Sequence, residues 1–490
     1  MIFLFTVLPL LSSFLIVLLG KRREYLSWFL SIFSASLLLV FSISTIFLNK
    51  FTVVYAIGGW GPPFGICFVL DGLSCLFLVV INLIATTSLL FSFSYMKKFD
   101  RIYLYYTLFC LLLAGLNGVV ISGDLFNIFV FLEISSLASY ALISFGRQKE
   151  ELEASFKYSI MGNLASIFIL LAIAFIFANT GSLNLANISR SLGQTKYLLN
   201  FALLLLIVGF GIKAALVPFH GWLADAHPAA PSPISAMLSG VVIKIIGVYG
   251  LIRIVFNIIG FDPKLSMLLI LLGIISMIVG VLLAIGQWDF KRLLAYHSIS
   301  QIGYVIFGIG LGTPLGITGG LFHLLNHSIF KSLLFLNAGA VEYRTGLRDL
   351  KKLKDIAKSM PLTSNTSLIA SLSIAGIPPF CGFWSKFFII LAAFSANKIL
   401  GGFFCIFVSL ITLASFLKVQ KYVFLDKNKN EEKKILEVPL SMASAMIFLA
   451  ILCILIGLFF LWVTNNIVAP AVDVLLDGKV YALKVLNNQL

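Results

Sequence analysis

Charge is scarce in this chain. Only 11% of its 490 residues are Asp, Glu, Lys or Arg, while 60% are hydrophobic. Soluble globular chains carry about 25% charged residues, so a soluble core is excluded. Paired cysteines are missing as well. Cys67, Cys75, Cys110, Cys381, Cys405 and Cys453 form no CxxC, and most lie inside apolar runs. They read as small buried hydrophobes, and iron–sulfur or haem ligation has no pattern to rest on. No GxGxxG opens a helix after a strand and no HExxH occurs, so no dinucleotide, other cofactor or metal is expected. The formal charge of +15 would suggest nucleic acid in a soluble protein. Here the basic residues sit in short loops between apolar runs, and topology accounts for them.

What is abundant is apolar sequence in lengths that cross a bilayer, about 20 residues each. Fourteen candidate spans follow: 1–20, 25–47, 67–94, 102–121, 124–146, 158–178, 197–217, 231–252, 265–286, 293–311, 314–340, 362–392, 399–424 and 441–464. They form one membrane unit, so length does not count domains. Helix is the expected state, because backbone groups in lipid must be satisfied internally and the runs are too long and uniform for barrel strands. Lys21, Arg22 and Arg23 follow the first run, whereas a secretory signal carries its charge before it. The first run is therefore expected to be a retained span with its N-terminus outside. Alternating from there puts 23 of the 35 Lys and Arg in inside loops, 8 outside and 4 within spans. That obeys the positive-inside rule and leaves both termini outside a cell membrane.

Two points interrupt the pattern. The seventh span runs into Pro218, and the twelfth contains Pro378 and Pro379; proline removes a donor and breaks a helix. Pro218-Phe219-His220-Gly221-Trp222 echoes Pro379-Phe380-Cys381-Gly382-Phe383-Trp384. A matching break in each half suggests an internal repeat with an ion site at the broken helix.

Several charges lie where they cost at least about 2.5 kcal/mol on insertion scales. Glu133 is deep in its span, with Ser136 and Tyr140 on the same helical face. Lys213 precedes the Pro218 break, Lys244 is near the middle of the next span, and Lys386 follows the second break. His323, His327 and Lys331 repeat at i, i+4, i+8 on one face. His297, Ser300 and Tyr304 form a shorter polar face near the inside surface. His220, Asp225 and His227 lie in the first break and read as surface-accessible, suited to admitting protons from inside. The plainer reading of each is a structural ion pair, a packing or snorkelling lysine, or a hydrogen-bonded histidine. The sharper reading is a proton path. Histidine titrates near neutral pH. A lysine out of water holds its proton less tightly, and a carboxylate beside it restores the hold. A Glu133–Lys213 pair would thus be switchable by charge arriving from a neighbour.

The stretch KAALVPFHGWLADAHPAAPSPISAMLSGVVIKIIGVYG from Lys213 to Gly250 resembles the signature of the proton-translocating antiporter-like subunits shared by respiratory complex I, Mrp-type sodium/proton antiporters and membrane-bound hydrogenases. FLEISSLASYALIS around Glu133, HLLNHSIFKSLLFLNAG around Lys331 and AGIPPFCGFWSKF around Lys386 fit it too, and GGWGPPFGI at 58–66 is similar to the D-type subunits of Mrp antiporters. The resemblance implies an all-α polytopic protein of fourteen transmembrane helices with two inverted five-helix repeats, helices 4–8 and 9–13, broken at helices 7 and 12. It divides the chain into 1–101, 102–260, 261–434 and 435–490. It implies Glu133 and Lys213 as a coupling pair, Lys244 with Lys331 or His327 as the central relay, and Lys386 as the terminal group. Lysine rather than glutamate at that last position, and only about 26 residues after the final span, favour the Mrp D-like type. The implied partners are other membrane subunits, protons and sodium. The alternatives are a subunit of a hydrogenase or an NADH:quinone oxidoreductase, a quinone-binding redox subunit, or a membrane scaffold without transport.

Overall fold

The computed structural model describes residues 2–48, 52–191, 197–426 and 436–487. Of the basic residues counted above, Lys50 and Lys196 lie outside the described residues, as do Lys427, Lys429, Lys433 and Lys434 of the last inside loop.

Helices dominate. In order they are α1 (Leu4–Leu19), α2 (Glu24–Leu48), α3 (Gly72–Tyr95), α4 (Ile102–Ile121), α5 (Leu125–Ile143), α6 (Lys149–Thr180), α7 (Leu185–Ser191), α8 (Tyr197–Lys213) and α9 (Gly221–Ala229). Then come α10 (Ser232–Ile259), α11 (Pro263–Ile285), α12 (Phe290–Gly310), α13 (Pro314–Thr345), α14 (Pro361–Ala375), α15 (Cys381–Ser395), α16 (Ile399–Leu425), α17 (Leu440–Leu458), α18 (Phe460–Leu476) and α19 (Val480–Asn487). Strands β1 (Val53–Ala56) and β2 (Cys67–Leu70) pair antiparallel, Val53 opposite Leu70. Local chemistry sets many helix starts. Asp71, Asp124, Asp262, Asp289 and Thr313 each accept a backbone N–H three residues on, satisfying a donor the helix cannot.

Among the described residues, ten helices are long and apolar enough to cross a membrane, α2 to α6, α10 to α12, α16 and α17. The other predicted spans are shorter or more polar. α1 has 16 residues, α8 and α15 are the apolar halves beside the two breaks, and α13 carries the histidines.

The chain departs from the predicted outline in several places. Cys67–Leu70, read as the start of the third span, is strand β2 and not helix, and α7 lies in a stretch expected as a loop. Residues 218–230, expected as a loop, contain α9. The last predicted span, 441–464, bends at Phe459. Beyond it α18 and α19 meet at 102°. α10 is not a regular helix: its turns widen to the π type at Leu238–Val242, Lys244–Tyr249 and Arg253–Ile259. Such widening collects at functional positions.

Both predicted breaks are present. The helix stops at Lys213 and resumes at Gly221, and it stops at Ala375 and resumes at Cys381. The Val217–Pro218 and Pro378–Pro379 peptides are cis.

Candidate functional site

At the first break, Lys213 ends α8 and its Nζ lies 3.5 Å from Glu133 Oε1 of α5. The same ammonium donates to Ser136 Oγ at 3.0 Å, so the polar face predicted on α5 is the face that receives it. Ser166 of α6 donates its hydroxyl to Glu133. The two charges are unequally sheltered: Lys213 is 1% exposed and Glu133 24%. Tyr140, also predicted on this face, is buried edge-on against Tyr158.

In the middle of the bundle the cations are sealed from water. Lys244 on α10 donates to the carbonyls of Ser239 and Gly240, at 2.8 and 2.7 Å. Those carbonyls lie on its own helix. α10 rests on α13 through Ser332, whose hydroxyl donates to the Ala236 carbonyl at 3.2 Å. On α13, Lys331 Nζ and both ring nitrogens of His327 are buried without a hydrogen-bond partner on the protein. The same holds for His227 on α9. Its ring centroid is 6.0 Å from that of Phe335, and Lys331 Nζ is 5.7 Å from the same phenyl ring, so His227 and Lys331 flank one aromatic side chain. Buried polar groups normally find partners, and leaving this many unpaired in one region is costly.

At the second break, Lys386 on α15 donates to the Ile374 carbonyl at 2.8 Å and to Ser409 Oγ at 3.2 Å. The carbonyl belongs to the last turn of α14, the helix end that favours a cation. The Tyr304 ring lies 5.0 Å from the ammonium. His323 bonds Gln301 and Ser385, and its ring runs parallel to that of His327, centroids 6.3 Å apart. His297 is buried and bonds Ser415 Oγ at 2.8 Å.

The inlet residues do not behave alike. His227 was expected at the surface and is fully buried, because α9 turns it into the bundle. His220 is half-buried. Asp225 is half-buried on the rim, paired with Lys157 at 3.0 Å and Arg292 at 3.4 Å. A cleft of about 370 Å³ opens beside α9, lined by Tyr95, Lys98, Glu151, Lys291, Glu342 and Arg348. Among the described residues no three His, Cys, Asp or Glu side chains gather as a metal site.

Two buried ion pairs escaped the sequence reading. Arg253, counted as a loop charge, is 2% exposed and sits in α10. Its two terminal nitrogens grip Asp71 at 2.8 and 2.9 Å. Lys291, also counted in a loop, is 1% exposed and lies 2.8 Å from Glu342, which Arg348 reaches at 2.6 Å. The signal for Arg253 was present: it stands within VYGLIRIVFNII, apolar on both sides.

The geometry agrees with known proteins. The family model described as NADH:quinone oxidoreductase/Mrp antiporter, TM matches residues 122–412. One described as NADH-Ubiquinone oxidoreductase (complex I), chain 5 N-terminus matches residues 61–106. The chain is 36% identical over 438 residues to the D subunit of the Na(+)/H(+) antiporter of Alkalihalophilus pseudofirmus, covering 87% of this chain and 88% of that one. It resembles a chain of the Mrp complex of Dietzia sp. with a TM-score of 0.92, 31% identity and 99% of each chain covered. A chain of the membrane-bound sulfane sulfur reductase, an archaeal respiratory membrane complex, matches with the same TM-score, identity and coverage.

Proposed function

Because the chain belongs to the NADH:quinone oxidoreductase/Mrp antiporter family, we propose that it is the D-type, proton-translocating member of a multisubunit sodium/proton antiporter. The observation that carries this reading is the Lys213–Glu133 contact at 3.5 Å beside a broken helix. A cation sealed in the bundle faces a carboxylate that reaches its surface, where a neighbouring subunit can bring up charge. Withdrawing the carboxylate leaves Lys213 charged and desolvated, a state that expels a proton.

The proton then has a row of stations. His227, on the helix beside the cleft, admits it from the inside. Lys244 with Lys331 or His327 hold it at the centre, and Lys386 passes it out at the second break. His220, Asp225, His297 and His323 are auxiliary groups along the rim and the outlet. In this reading the chain crosses the plasma membrane fourteen times with both termini outside. Residues 102–260 and 261–434 are inverted repeats, preceded by three helices at 1–101 and followed by 435–490. The matched breaks at Pro218 and Pro379 support the repeat. The chain brings no cofactor or metal of its own and works with other membrane subunits, protons and sodium.

A second reading keeps the proton path and changes the drive, to electron transfer elsewhere in a respiratory assembly. Its support is the equal likeness to the sulfane sulfur reductase chain.

One experiment tests both. The complete assembly is placed in everted vesicles from cells lacking their own sodium/proton antiporters, and sodium-driven proton movement is followed with acridine orange. The wild type should respond to added NaCl. Lys213→Ala and Glu133→Ala should abolish the response while the complex still purifies intact. Unchanged exchange in these variants overturns the proton path. A wild type silent to sodium but pumping on an electron donor selects the second reading.

A further inference from the structure

His323 stands between two partners that treat its ring nitrogens differently. Its Nε2 is 3.1 Å from Gln301 Oε1 on α12, and its Nδ1 is 2.9 Å from Ser385 Oγ on α15. With the Gln301 amide oxygen turned to the ring, which leaves its own amide nitrogen without a partner, His323 Nε2 carries the proton of that bond. A hydroxyl both donates and accepts. Ser385 Oγ also lies 3.1 Å from the Gly382 carbonyl, so its proton has two acceptors within reach.

We propose that Gln301 and Ser385 are positioning residues that confine proton exchange of His323 to Nδ1, the nitrogen bonded to α15, the helix that also carries Lys386. With the ring neutral, Nε2–H donates to Gln301 and the Ser385 hydroxyl donates to Nδ1. When a proton given up by the Lys386 ammonium is taken by Nδ1, the new N–H donates to Ser385 Oγ, and the hydroxyl turns to donate to the Gly382 carbonyl. The reverse rotation accompanies its departure. Only hydrogens move, every hydrogen bond of the ring is kept in both states, and the charge is accepted without rearranging heavy atoms. Such preorganisation is what makes a charge-handling site fast. His323 is then a holding station beside the outlet, and a proton cannot pass through it from Nε2 to Nδ1.

The surroundings bear on when the station is occupied. Lys386 from α15 and Lys244 from α10 direct positive charge at His323. His327 is parallel to it on α13, and the Tyr304 ring of α12 is 5.5 Å away.

The inference rests on the proton-path reading, and its test separates the two. In the same vesicles, the pH profile of sodium-driven exchange is measured for Ser385→Ala, Ser385→Thr, Gln301→Met and Gln301→Glu, with the amount of assembled complex recorded. Ser385→Ala and Gln301→Met should slow exchange about 10²-fold, the lower end of what a positioned acid–base group contributes. Ser385→Thr, which keeps the hydroxyl, should recover most of the rate. Gln301→Glu, a negative acceptor for Nε2–H, should extend activity by about one pH unit to the alkaline side. If Glu133→Ala abolishes exchange but the Ser385 and Gln301 variants keep the wild-type rate and profile, the inference falls and the proton path stands. If Ser385→Thr is as slow as Ser385→Ala and Gln301→Glu leaves the profile in place, the role is merely structural and the inference also falls.

Discussion

Arg253 on α10 and Asp71 at the start of α3 form a two-pronged ion pair, 2.8 and 2.9 Å, although 182 residues separate them. Tyr249 and Asn257 add bonds to the same guanidinium, and the Tyr481 ring of α19 lies 5.1 Å from it. Asn257 in turn donates to the Val474 and Gly478 carbonyls. One buried cation thus ties the helix of Lys244 to α3 and to the folded-back C-terminal helices. Removing one partner of a buried pair leaves an uncompensated charge and costs about 3–5 kcal/mol, whereas replacing both with apolar groups is often neutral. Asp71→Ala should therefore lower the thermal stability of the detergent-solubilised complex sharply, and Asp71→Leu with Arg253→Met should be the more stable of the two. A double variant as unstable as the single one removes this account.

Acid sensitivity should come from the other buried pair. Glu342 lies in the last turn of α13, beyond the apolar stretch 314–340. Although burial opposes its charge, Lys291 and Arg348 together hold its carboxyl down, from 4.5 to about 2. A depressed folded value means that its stabilisation is complete above about pH 4.5 and is lost as pH falls toward 2. The wild type should lose stability progressively across that window in a pH series of thermal melts. Glu342→Gln should be less stable at neutral pH and flatter across the window. A wild-type slope that persists in the variant would show that other carboxylates dominate.

The Lys213–Glu133 contact makes a distance-sensitive prediction. Glu133→Asp shortens the carboxylate arm by one methylene, and a displacement of about 1 Å costs on the order of 10²-fold in positioned chemistry. Sodium-driven exchange should fall by that order with the complex still assembled. Ser166→Ala, which removes only the hydroxyl donated to the carboxylate, should cost less. Wild-type exchange in Glu133→Asp would mean that the pair does not couple.

The sequence held the bilayer-length periodicity, the two proline breaks and the odd charges at Glu133, Lys213, Lys244 and Lys386, because each is a local departure from an apolar background. It did not hold which charges would meet across helices. Arg253 has apolar sequence on both sides and only its partner Asp71 was hidden, whereas Lys291 sits at the end of an apolar run, where loop and buried positions look alike in one dimension. His227 was misplaced for the same reason: a short polar segment between spans reads as a loop, and only the turn of α9 back into the bundle buries it. Gln301 drew no notice, since an uncharged amide in a helix looks like any packing residue until His323 is brought against it from α13.

Each break is also gripped by a close helix contact that depends on a missing side chain. A Cβ on Gly247 of α10 would lie 2.4 Å from the Cα and N of Ala214, the residue after Lys213. A Cβ on Gly457 of α17 would lie 2.0 Å from the carbonyl oxygen of Pro379. Both obstacles are backbone and cannot swing away, so alanine at either position must push a helix off its break. Overpacking of this kind costs about 1–3 kcal/mol. Gly247→Ala also displaces the helix that carries Lys244 relative to Lys213, so it should slow exchange by more than its loss of stability explains. Gly211→Ala is the control, since nothing lies within 4 Å of its Cβ position and alanine is the better helix former; it should leave melting temperature and exchange at or above wild type. Equal behaviour of Gly247→Ala and Gly211→Ala in both measurements would show that the approach of α10 to the break is not needed for transport.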